Sequence, residues 1–152
     1  MPVSTAKNKK QYNCGEGQTE FAFPYKCFGA ADMVVVITSS LGVEGDPLTL
    51  NTHYTIAPTN NDYKNGCVVT TIGADSPYAA GNKITLLRVL TLTQSADFEP
   101  YGSLPSNTLD ACLDKLMMIN QQLKEAIGRQ LLLKIRLNQL LKEYEKKKEK
   151  RK

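Results

Sequence analysis

Two glycines one residue apart beside a cysteine, in Cys14-Gly15-Glu16-Gly17-Gln18-Thr19-Glu20-Phe21-Ala22-Phe23-Pro24-Tyr25, could let backbone amides approach a phosphate. The pattern is incomplete. Glu20 stands where a dinucleotide fingerprint needs its third glycine, and the following residues alternate like a strand instead of opening a helix. No Gly-Lys-Ser/Thr occurs, so the stretch reads as a hairpin or tight turn.

The single histidine, His53, could serve a catalytic triad only with a nucleophile and a carboxylate around it. No Gly-x-Ser-x-Gly elbow supplies one, and His53 reads as a surface or turn residue. Asp32, Asp46, Asp62, Asp75, Asp97 and Glu99 fall in turn-like segments, where carboxylates cap or solvate the chain. A glycosidase needs two of them across a cleft, and nothing in the sequence selects a pair. Cys14, Cys27, Cys67 and Cys112 are widely spaced without a Cys-x-x-Cys pair. Four free thiols in a reducing compartment are expected, mostly packed as small apolar groups. These patterns give no catalytic residue, no cofactor and no metal site, and no small-molecule substrate is expected.

Charge is uneven. Lys142 to Lys152 holds seven Lys/Arg against three Glu, which accounts for the whole net charge of +4. A nucleic-acid role would have to sit in that tail, but interleaved Glu and the lack of aromatics favour a solvated helix end. The longest apolar run, Met33 to Ile37, is far short of the ~20 residues a membrane span needs. No signal peptide is read at the N-terminus.

The elements that must carry these residues separate into regions. Residues 1–10 are polar and expected to be flexible. Residues 11–103 have strand-and-turn texture, with strands expected at Glu20–Phe23, Asp32–Thr38, His53–Ala57, Gly66–Ile72 and Lys83–Leu90. Val34, Val36 and Thr38 on one face, and Val35 and Ile37 on the other, mark a central strand. Short connections favour antiparallel pairing in a small sandwich or barrel-like domain.

From 104 to 145 the texture is helical, with a basic tail at 146–152. Pro105 suits the first turn, and Asp110 and Asp114 put negative charge near the helix's positive end. Leu109, Leu116 and Leu123 recur at one heptad position, with Cys112, Ile119 and Ala126 at the other. Leu133, Leu137, Leu140 and Tyr144 continue the stripe past polar Gln130. Such a stripe is what a coiled-coil seam requires, and Leu at one position with Ile119 at the other leans weakly toward trimers or tetramers over dimers. Gly128 is a weak point, and Leu133 to Leu137 also alternates like a strand.

Taken in order, these segments resemble the N-terminal anchoring domain of tail-fibre and tailspike proteins of short-tailed bacteriophages. Tyr12 to Tyr25 is similar to its glycine turn followed by aromatic-x-apolar-Pro-aromatic. Asp32 to Val36 is similar to its next strand, and Leu48 to Ile56 to its Leu…Asp-Tyr-x-aliphatic segment, with His53 where Asp is usual. Gly81 to Arg88 and Leu92 to Phe98 are similar to the closing strand and its Arg…Thr-Gln…Asp-aromatic tail. Leu109 to Leu123 resembles the helix leading into the fibre. The likeness covers about Gln11 to Arg129, and the basic segment from Gln130 has no counterpart in it.

The resemblance implies a mainly β head followed by a parallel trimeric coiled-coil stem. It further implies a virion structural protein, not an enzyme, that attaches a homotrimeric fibre to the tail as anchor or adaptor. Expected partners are tail adaptor or nozzle-type proteins, with a distal fibre or spike protein as a further one. The expected location is the virion tail, after assembly in the host cytoplasm. The rival readings are a fragment of a host-polysaccharide depolymerase and a coiled coil that binds nucleic acid through its lysines.

Overall fold

The computed structural model describes residues 7–73, 78–93 and 105–149. Its elements, in order, are β1 (Lys9–Asn13), β2 (Glu20–Phe23), β3 (Met33–Thr38), β4 (Glu44–Pro47), β5 (Tyr54–Pro58), β6 (Cys67–Thr71), β7 (Lys83–Arg88) and helix α1 (Ser106–Glu149). They form a four-stranded sheet ordered β1-β7-β3-β4 and a three-stranded sheet ordered β2-β6-β5. Every strand pair is antiparallel.

Alternation drives the assembly. Phe21, Phe23 and Val69 point inward from the smaller sheet and meet Val35, Ile84 and Leu86 from the larger one, all almost fully buried in one cluster. Two tyrosines stitch the layers: Tyr12 Oη donates to Ala22 O (2.6 Å), and Tyr54 Oη donates to Met33 O (3.2 Å). β3 lies between β7 and β4, the central position its apolar residues led one to expect.

Five expected strands occur within two residues of their expected ends, and two strands were not foreseen. β1 begins at Lys9, inside the stretch expected to be flexible, and the Asn8 carbonyl accepts from Arg88 N (2.9 Å). Its residues are too polar to announce a strand, but as an edge strand it needs only backbone pairing with β7. β4, Glu44-Gly45-Asp46-Pro47, is exposed throughout, and an edge tolerates its proline.

The glycine stretch is a tight turn but not a hairpin. Gln18 N donates to Gly15 O (3.3 Å) and Gly17 takes φ +71°, yet β1 and β2 then join different sheets. The turn therefore carries the chain across the sandwich. A more demanding glycine is Gly66, at φ +94°, where a Cβ would lie 2.1 Å from Phe23 O.

Helix α1 runs unbroken through Gly128 for 44 residues, about 66 Å at 1.5 Å per residue. The strand-like reading of Leu133 to Leu137 is thereby corrected: flanking strong helix formers decide the local structure. Pro105 sits just before the helix, not in its first turn, and its carbonyl accepts from Thr108 N (3.0 Å). Asp75, Asp97, Glu99 and the Gln94–Phe98 part of the resembling tail lie outside the described residues.

Candidate functional site

The helix lies against the β domain along one face, and that face is mostly polar. From its N-terminal end the contact runs through Asp114, Met118, Gln121 and Glu125 to Arg129. These positions step by three and four, so they form a straight line along the helix. Among them only Met118 is apolar, and it is fully buried.

Each polar contact has a defined partner. Lys26 Nζ pairs with the Asp114 carboxylate, and both side chains are nearly buried, at 13% and 11% exposure. Lys9 Nζ pairs with Glu125 Oε1 at 2.8 Å. Arg129 bridges Glu125 (3.2 Å) and Glu44 (3.7 Å), tying the helix to the start of β4. Gln122 Oε1 accepts from Leu90 N (2.8 Å), and Lys115 Nζ donates to Thr93 O. The Lys9 ammonium, helped by Arg129, holds the Glu125 carboxyl below its ordinary value against the opposing pull of burial.

Arg88 is the centre of this contact. It occupies an inward position of β7, in phase with Ile84 and Leu86, and is 1% exposed. Nη1 donates to Lys26 O (2.5 Å) and Nη2 to Gln121 Oε1 (2.6 Å). Burial pulls the guanidinium below its ordinary value, while Cys27 and Asp32 act in the opposite direction. Nε has no hydrogen-bond partner among the described residues, nor does Asn8 Nδ2. One buried cation thus links a strand of the larger sheet, the loop after β2 and the helix.

The opposite side of α1 carries the heptad stripe. Leu109, Leu116, Leu123, Leu133, Leu137 and Leu140 are 39–68% exposed. Cys112 and Ile119 are half-buried, and Ala126 is exposed. This stripe is offset by two residues from the polar line, a rotation of about 200° at 3.6 residues per turn. From Leu131 to Glu149 every residue of α1 is exposed.

The remaining candidates take structural positions. His53 is half-buried in a turn, where its Nδ1 accepts from Thr49 N (3.0 Å) and its carbonyl accepts from Tyr78 Oη (2.5 Å). Asp32 accepts from the amides of Phe28 and Gly29, each at 3.0 Å, and Asp62 accepts from Lys64 N (2.9 Å). Asp114, expected to serve the helix dipole, instead pairs with Lys26. A cleft of about 480 Å³ between the loops and the first helical turns is lined by Lys26, Phe28, Asp62, Tyr63, Lys64 and Asp110, among others. Among the described residues no three His, Cys, Asp or Glu gather as a metal site, and no helix is long and apolar enough to cross a membrane.

Sequence reasoning missed the polar docking face. Its signal was present: Asp114 and Gln121 stand seven residues apart and Glu125 four further on, opposite the leucine stripe. Such a line ordinarily reads as a solvated face.

No family model matches the chain. The chain is 31% identical over 124 residues to the tail spike protein of Salmonella phage epsilon15. The similarity covers 82% of this chain but 11% of that protein, so the chain spans about a tenth of its relative's length. The chain is thus related, at low identity, to a phage tail spike protein.

Proposed function

We propose that the chain is an anchor or adaptor of a phage tail fibre or tailspike, with a β head that grips the tail and a helix that registers three chains. The observation that carries this reading is the division of labour around α1. The helix satisfies its own head with Asp114, Gln121 and Glu125 and leaves Leu109, Cys112, Leu116, Ile119, Leu123, Ala126, Leu133, Leu137 and Leu140 on the far side. A monomer would keep that stripe in water. Packing it in a parallel three-helix seam would gain about 1.5–3 kcal/mol for each side chain fully buried.

The relationship to a tail spike supports a structural role at the virion tail. On this reading tail adaptor or nozzle-type proteins are the surfaces gripped. A distal fibre or spike would attach where the stem ends. Function on this reading is association rather than bond chemistry.

Light scattering on the purified chain tests the assembly. The parent chain should be a trimer, and Leu116→Asp with Ile119→Asp should give folded monomers. A double variant that stays trimeric would remove the seam as the assembly element.

A further inference from the structure

Past Arg129 the helix changes character. The docking line that runs from Asp114 to Arg129 continues at the same steps through Leu132 and Arg136, with Ile135 beside them. Leu132 and Ile135 are 68% and 48% exposed. Ile135 stands two residues before Leu137, about 200° around the helix from it, so a seam closed over Leu137 does not cover it.

The head supplies a second apolar wall. β3 begins with Met33 opposite Arg88 and ends with Thr38 opposite Lys83 and Glu44. The helix takes the same path, from Gln121 on Arg88 to Arg129 on Glu44. The turn between β3 and β4 therefore lies at the end of the sheet where the helix leaves, and it carries Leu41 and Val43, 89% and 66% exposed. Ser39 N donates to Val43 O (2.8 Å), Gly42 N to Ser39 O (2.9 Å) and Ser40 N to Asn82 Oδ1 (3.1 Å), so the turn is held in shape. The Arg129–Glu44 pair (3.7 Å) joins the two walls: Val43 adjoins Glu44, and Leu132 lies three residues past Arg129.

We propose that Leu41 and Val43 on the head, with Leu132 and Ile135 on the helix, border a docking notch for an acidic amphipathic segment of another protein. Charge selects the occupant. No Asp or Glu occurs between Glu125 and Glu143, whereas Lys134 and Arg136 flank the helical wall and Lys83 stands at the same end of the sheet as the turn. Glu44, the acid at the edge of the notch, is already paired with Arg129. A segment with Asp or Glu spaced among leucine-like residues satisfies both the apolar walls and the basic rim. A second copy presenting the same notch would set basic residues against basic residues. The notch uses no seam residue, so it is tested separately from the trimer.

A random peptide library displayed on yeast is sorted for binding to the full chain at low salt. Selected sequences should be enriched in Asp and Glu spaced among Leu, Ile and Phe. They should bind about tenfold or more weakly to Leu41→Ser/Val43→Ser and to Leu132→Ser/Ile135→Ser, and weaken as salt rises. Both variants change exposed side chains and should melt with the parent chain. Leu116→Asp/Ile119→Asp should bind the same peptides as the parent does, whatever its assembly state. An empty selection, neutral or basic sequences, or undiminished binding to either notch variant overturns the proposal. Loss of self-association in Leu41→Ser/Val43→Ser by light scattering would make a second copy the occupant and overturn it equally.

Discussion

Replacing Gln121 with leucine should weaken the hold of the head on the helix more than any other single exchange along the polar line. Gln121 Oε1 accepts from Arg88 Nη2 at 2.6 Å, and Arg88 is 1% exposed. Its Nε already lacks a partner among the described residues, so the guanidinium has little to fall back on. Losing a hydrogen bond to a buried charged group costs about 1.5–3 kcal/mol, and the upper half of that range applies here. The loss has a ceiling, because the helix can undock and let Arg88 reach water, so the cost cannot exceed the docking free energy.

In urea, where small domains lose about 1–3 kcal/mol per molar, the midpoint should fall by roughly 1 M at matched protein concentration. Arg88→Met should cost at least as much, since it strips donors from Lys26 O and from Gln121 at once. The double variant Arg88→Met/Gln121→Leu should be less damaging than the two added, with a coupling of about 1–2 kcal/mol, because the buried charge and its acceptor go together. Gln122→Leu, which loses a neutral bond to Leu90 N, should cost about 1 kcal/mol. Additivity of the Arg88 and Gln121 variants within about 0.3 kcal/mol would refute the idea that the guanidinium depends on the helix.

Gly66→Ala should lower stability by about 3 kcal/mol or more, since a Cβ there meets the Phe23 carbonyl at φ +94°. Gly42→Ala, with φ +82° and open space around it, should cost only about 1–2 kcal/mol in thermal melts. Because the folded Glu125 carboxyl sits below its ordinary 4.5, the contribution it makes to docking is present above that pH and is lost as pH falls further. Protection over Gln121–Arg129, taken against the intrinsic exchange rate at each pH, should therefore fall on acidification below about 4.5, and Glu125→Gln should flatten that fall. A chain ending at Gln130 should keep the melting behaviour of the head, since Leu131–Glu149 is exposed throughout, but should dissociate at higher concentration than the full chain.

Legibility varied with the kind of pattern. Phe21, Phe23, Val35, Ile84 and Leu86 declared themselves through alternation, because burying one face is what a strand sequence is selected to do. β4 was invisible, since Glu-Gly-Asp-Pro pairs only through its backbone at an edge. The crossing between sheets after Asn13 was also hidden, because a tight turn looks the same whether its strands pair together or part. In the helix the leucine stripe was plain, whereas the docking line was not. Recognising it required Arg88, whose place among Ile84 and Leu86 signalled a buried cation needing acceptors from elsewhere in the chain.

The polar docking face also sets an order of events during synthesis. The seven strands among the described residues lie before residue 89, so they have all been made before Ser106 leaves the ribosome. Each nascent helix then meets a completed neighbour on its own chain before it meets another chain. Had that neighbour offered an apolar groove, it would have captured the leucines and covered the stripe. By taking glutamines, carboxylates, two basic side chains and a single methionine, the head holds its own helix and leaves the leucines uncovered.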